Sequence, residues 1–159
     1  MYYFGAVAVI VGVYMIWSEY SAFLHKELFW CTSFLNAITD YRDKIKCYMD
    51  TPSGWAAGYS DQRLTECGFL ERLREGDDFF TAYRSMCGAC LNDASENILS
   101  ACFERLGEGY LDTELEVLGI AIDKLGKEEA RLTDALPKQR KAAGAVLGAF
   151  ATGLIIFIM

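Results

Sequence analysis

Residues 112–159 read DTELEVLGIAIDKLGKEEARLTDALPKQRKAAGAVLGAFATGLIIFIM. Leu115, Leu118, Ile122, Leu125, Leu132 and Leu136 recur at alternating three- and four-residue steps once Glu129 is counted in the row. That rhythm predicts a long helix with one packing seam and a single polar interruption. Lys138, Arg140 and Lys141 then form a basic collar, and the 18 residues that follow, 142–159, carry no charge. At 1.5 Å per helical residue they span about 27 Å, close to the hydrocarbon thickness of a bilayer. The stretch predicts a transmembrane helix whose cationic flank lies among headgroups.

The opening of the chain mirrors this end. Residues 1–17, MYYFGAVAVIVGVYMIW, also lack Asp, Glu, Lys, Arg and His. No basic residue precedes the run, and Tyr14, Trp17 and Tyr20 mark an aromatic belt at its exit, so it reads as an uncleaved anchor and not a signal peptide. Ala8 and Gly12, like Gly144 and Gly148, are small residues four apart, the spacing that lets transmembrane helices approach closely. The expected organisation is a membrane helix over 1–18, a helical domain over 19–141 and a second membrane helix over 142–159. Lys26, Lys124, Lys127, Arg131, Lys138, Arg140 and Lys141 all lie on the inner flanks of the two apolar runs. The positive-inside rule therefore places the central domain in the cytoplasm.

Between the anchors the periodicity is helical. From Glu19 to Asp50 no Pro or Gly interrupts the chain, and Leu24, Leu28, Cys31, Leu35, Ile38, Ile45 and Met49 keep the same rhythm with Arg42 in the row. This helix should lie antiparallel to the last one, seam against seam. Thr51-Pro52 starts a short helix as N-cap and first residue. Ser60 is placed to cap another through Leu64, Cys67, Leu70 and Leu73 to Gly76. Asp77 or Asp78 opens a third through Phe79, Phe80, Tyr83, Met86, Cys87, Cys90 and Leu91. Asn92 or Asp93 opens a fourth through Ile98, Leu99, Cys102 and Leu106 to Gly107. The fold class expected is all-α: an antiparallel helical bundle of about six helices with N- and C-terminal transmembrane helices.

The net charge of −7 falls entirely within residues 18–141. An acidic domain is a poor partner for nucleic acid, whose phosphates need a basic face. The six cysteines would be reduced in a cytoplasmic domain and act as small apolar residues. Cys87 and Cys90 have the CxxC spacing of a redox pair or half a zinc site, but no strand precedes them and no second ligand pair has matching spacing. Two core-facing thiols is the simpler reading. His25, the sole histidine, reads as an interfacial side chain. No phosphate loop, HExxH or GxSxG occurs, so neither an enzyme nor a cofactor or metal is expected. Asp61, Glu66, Glu71, Glu75, Asp77 and Asp78 form the candidate acidic, partner-facing surface.

The arrangement resembles the stage III sporulation protein AB family of endospore-forming bacteria. The resemblance rests on Tyr48-x-x-Thr51-Pro52, on Pro137-Lys138-x-Arg140-Lys141, and on Leu147-Gly148-x-x-Ala151-x-Gly153-Leu154, together with the two near-terminal anchors. Ser53 stands where the family pattern has leucine, and acidic residues from Asp112 to Glu116 stand where it has a glutamine. The family is itself similar to the cytoplasmic domain of the inner-membrane platform protein of type II secretion machines. What the resemblance implies is a membrane platform on the mother-cell side of a mother cell–forespore channel complex. Its partners would be a cytoplasmic secretion-type ATPase, other membrane components of the complex and lipid, with a homo-oligomer also open. A generic two-anchor scaffold is one alternative. An extracytoplasmic thiol protein using Cys87 and Cys90, which requires inverted topology, is another.

Overall fold

Residues 2–48, 50–107 and 109–158 are described by a computed structural model, with side chains at 2–6, 9, 151, 154, 155, 157 and 158 outside the description. Every regular element among them is helical: α1 (Tyr2–Tyr48), α2 (Pro52–Gly58), α3 (Gln62–Glu66), α4 (Phe69–Glu75), α5 (Phe79–Ser85), α6 (Asp93–Phe103) and α7 (Leu111–Ile158). There are seven where about six were expected, because the helix read from Ser60 to Gly76 is two. Gly68 takes φ +84, a left-handed conformation that ends α3 and starts α4. Asp61, not Ser60, caps α3, its Oδ1 accepting from the backbone N–H of Arg63 and Leu64. Thr51, Asp78 and Asn92 cap α2, α5 and α6. The helix expected to run on to Leu91 stops at Ser85: Met86 is extended and Gly88 takes φ +77, so residues 86–92 form an irregular connection. Met49, the last residue of the first predicted seam, lies outside the described residues.

The chain divides into two compact units, Glu27–Ala130 and a second made of 1–26 with 131–159. In the first, α1 and α7 run antiparallel. The Thr32 hydroxyl donates to Glu129 Oε1 at 2.7 Å, the Cys31 thiol approaches the Leu125 carbonyl at 3.8 Å, and the Arg42 guanidinium lies beside Gly119. Glu129, the polar interruption of the second seam, is thus met by a hydroxyl from the first. Cys31, Ile38, Ile45, Leu118 and Leu125 are buried as the periodicity requires.

The short helices close this unit by inserting aromatic rings. Phe34 of α1 is fully buried, with its ring 5.4 Å from Phe69, 6.0 Å from Tyr83 and 6.3 Å from Phe103. Phe79 stacks on Phe103 at 5.4 Å and meets Tyr41 at 4.6 Å. Trp55 packs on Tyr41 while its indole N–H donates to Asp40 at 2.7 Å, so α2 is held to α1 by both packing and a charged acceptor. Burying each such side chain contributes about 1.5–3 kcal/mol. Asn92 carries a double role: its Oδ1 accepts from Ser95 N–H to cap α6, and its Nδ2 donates to the buried Glu128 of α7 at 2.8 Å.

In the second unit the outer parts of α1 and α7 are again antiparallel. The Arg140 guanidinium lies over the Trp17 ring at 5.4 Å, and a Cβ at Gly144 would sit 3.4 Å from Trp17 Nε1. Ser21, Leu24, Leu132 and Leu136 are buried here. Pro137 lies inside α7 without ending it, although its missing N–H leaves the Thr133 carbonyl without its usual donor. Val7, Ile10, Val11, Tyr14, Met15 and Ile16 stay 51–65% exposed on α1, as do Val146, Phe150 and Ile156 at 64–70% on α7. Among the described residues no helix is long and apolar enough to cross a membrane.

Candidate functional site

The six acids proposed as a partner-facing surface fall within or beside α3, α4 and α5, and most are already engaged locally. Asp61 and Asp78 are N-caps. Glu66 accepts from Gln62 Nε2 at 2.8 Å, while Glu75 and Asp77 lie 3.9 and 3.8 Å from Arg72. Glu71 occupies the first turn of α4, where a carboxylate complements the helix dipole. Asp78 is held below the usual carboxylate range by hydrogen bonding from Thr81. Four arginines, at 63, 72, 74 and 84, share the segment, so residues 61–85 with six acids carry a net charge of only −2. The acidic excess lies further on: residues 86–134 hold eleven acids and four bases, net −7. The six named acids are thus interleaved with four arginines, and the larger acidic excess follows them in the chain.

By unit, Glu27–Ala130 holds twenty acids and ten bases, net −10, whereas 1–26 with 131–159 holds two acids and five bases, net +3. The net negative charge is therefore confined to one unit, and the other, with its collar, has the opposite sign.

The thiols separate into two classes. Cys31, Cys67 and Cys102 are buried. Burial pushes all three thiols up, Cys102 to about 12, so they behave as core residues and not as nucleophiles. Cys47 and Cys87 are exposed and Cys90 is half-buried. Cys87 and Cys90 stand in the irregular 86–92 connection and not late in a helix, and the Cys87 backbone N–H donates to the Cys67 carbonyl at 3.2 Å. Among the described residues no three His, Cys, Asp or Glu side chains are gathered as a metal site would require.

Of the small residues proposed for membrane-helix packing, Gly12, Gly144 and Gly148 do not behave alike. Gly144 alone has a close neighbour, the Trp17 indole, while a Cβ at Gly12 or Gly148 would meet nothing within 4 Å and Ala8 is exposed.

One surface was not singled out by the periodicity. Between α6 and α7 runs a groove of about 250 Å³ lined by Ile98, Ala101, Val117, Ile120 and Ala121, with Arg105 and Lys124 also lining it. Ile120 is 46% exposed, although Leu118 and Ala121 beside it are buried. Its signal was present in the sequence as an isoleucine off the seam rows. A single exposed apolar residue is ordinary, however, until the neighbouring helix shows that it lines a groove. A second, more polar hollow of about 420 Å³ is lined by Tyr83, Arg84, Glu96, Ser100 and the 86–91 connection. No family model, curated protein or solved structure matches this chain.

Proposed function

We propose that this chain is a non-enzymatic, two-anchor membrane component, with residues 1–18 and 142–159 in the bilayer and the acidic helical unit in the cytoplasm. The observation that carries the reading is the run of large apolar side chains left exposed on α1 between Val7 and Ile16 and on α7 between Val146 and Ile156. In water such a surface favours aggregation, whereas in hydrocarbon it is the solvated state. Every charge in 1–26 and 131–159 lies between residues 19 and 26 or between 131 and 141, and five of the seven are cationic. This supports the cytoplasmic placement of the central domain.

Within that frame the resemblance to the stage III sporulation protein AB family supplies the role: a platform of the mother cell–forespore channel complex beneath which a secretion-type ATPase docks. α1 and α7 each run unbroken from the apolar segment into the acidic bundle. A partner docked on the acidic unit needs no chemistry on the chain for such a role.

The test is affinity purification of the tagged full chain from detergent-solubilised membranes of a sporulating, endospore-forming host. The expected result is co-purification of a secretion-type ATPase, weakened at high salt. Recovery of the chain alone from membranes in which that ATPase is present would remove the platform role and leave a generic scaffold.

A further inference from the structure

The face of α7 that carries Ile120 into the groove with α6 has a charge pattern that is complementary to itself. Glu116 and Lys124 lie four residues before and four residues after Ile120, so all three project from the same face of α7. Glu116 and Lys124 are exposed, and among the described residues neither takes part in an ion pair, in contrast to Lys127, which binds Asp123 at 2.6 Å. An acid and a base placed symmetrically about an exposed isoleucine match a two-fold axis.

We propose that this face binds a second copy of the chain, with the two α7 helices antiparallel and crossing at Ile120. In that arrangement each residue before Ile120 faces the residue equally far after it in the copy. Glu116 of each copy then meets Lys124 of the other, forming two equivalent ion pairs around an apolar centre. A parallel arrangement would set Glu116 against Glu116 and Lys124 against Lys124, and is disfavoured by both. Ile120 of each copy enters the groove of the other, where Ala101 and Ala121 leave room between Ile98 and Val117. Arg105 adds a second cation to the rim, so the acid-rich α7 of the copy meets positive charge within an otherwise acidic surface. The contact covers about two helical turns, which supports a weak dimer with a dissociation constant on the order of micromolar. It stands independently of the membrane and platform readings.

Sedimentation of the full chain in density-matched detergent tests it, with far-ultraviolet circular dichroism as the check that each variant remains helical. Wild type should self-associate reversibly. Glu116→Lys and Lys124→Glu should each raise the dissociation constant by about tenfold or more, because each turns two attractive pairs into two repulsive ones. The double substitution restores both pairs in reversed polarity and should return the constant to within about threefold of wild type. Ile120→Ser should weaken association without rescue by the charge swap. A wild-type chain that stays monomeric at about 100 times the micromolar range would overturn the proposal. So would single variants that leave association unchanged, or a double variant that fails to restore it.

Discussion

Asp61 and Ser60 illustrate how much one side chain decides at a helix end. Both are capping residues by type, yet Asp61 supplies the oxygen that accepts from two orphan N–H groups of α3, and Ser60 is an exposed linker residue. Asp61→Ala should cost about 1 kcal/mol in urea unfolding of the full chain, whereas Ser60→Ala should stay within about 0.5 kcal/mol of wild type. The titratable core residues give a second prediction at this scale. Burial raises the Cys102 thiol from 9.0 to about 12 and the Tyr59 and Tyr83 hydroxyls from 10.0 to about 12, and it raises Cys31, Cys67 and Tyr41 as well. Between the unfolded and native values the native state holds more protons than the unfolded chain, so stability falls as pH rises. The urea midpoint should begin to fall near pH 9.0 and drop steadily from there towards about 12. A midpoint unchanged across that window would mean these groups ionise freely in the native state.

At the scale of elements, the two long helices were legible because a three–four rhythm sustained over many turns has no competing explanation. The short ones were legible in number and caps but not in extent. The apolar rhythm continues across Gly68 and again through Met86, Cys87, Cys90 and Leu91, while the backbone leaves the helix at both places. In each case a glycine takes positive φ, Gly68 at +84 and Gly88 at +77, and a glycine's choice between helical and left-handed conformations is made by tertiary packing. Asn92 joins two elements in a way no periodicity encodes, capping α6 while donating to the buried Glu128 on α7. Asn92→Ala should cost about 2–4 kcal/mol, from the lost cap and from the donor removed from a buried carboxylate. The neighbouring Asp93→Ala should change stability by less than about 0.5 kcal/mol. Equal effects at the two positions would assign the cap wrongly.

Across the whole molecule, the charge division was visible in the sequence only after the units were known. The net −10 of Glu27–Ala130 and the net +3 of the other unit combine into an unremarkable −7, and neither value can be read without knowing which residues group together. The candidate acidic surface is likewise offset locally, because Arg63, Arg72, Arg74 and Arg84 lie among its acids. Ile120 remained hidden because its meaning depends on α6, which lines the groove with it but is separated from it in the sequence. What the sequence did carry without help was the pair of uncharged runs with cations on their inner flanks, on which the proposed two-anchor organisation rests.

The most direct measurement is thiol accessibility in intact cells, because Cys47 and Cys87 are exposed and both lie in the acidic unit. Cells treated with a permeant reductant and washed would be probed with a membrane-impermeant maleimide before and after permeabilisation, and the chain recovered from carbonate-washed membranes. The expected result is retention in the membrane pellet, with labelling of Cys47 and Cys87 only after permeabilisation. Release of the chain into the carbonate supernatant would contradict the two anchors, and labelling in intact cells would place the acidic unit outside and end the ATPase-docking reading.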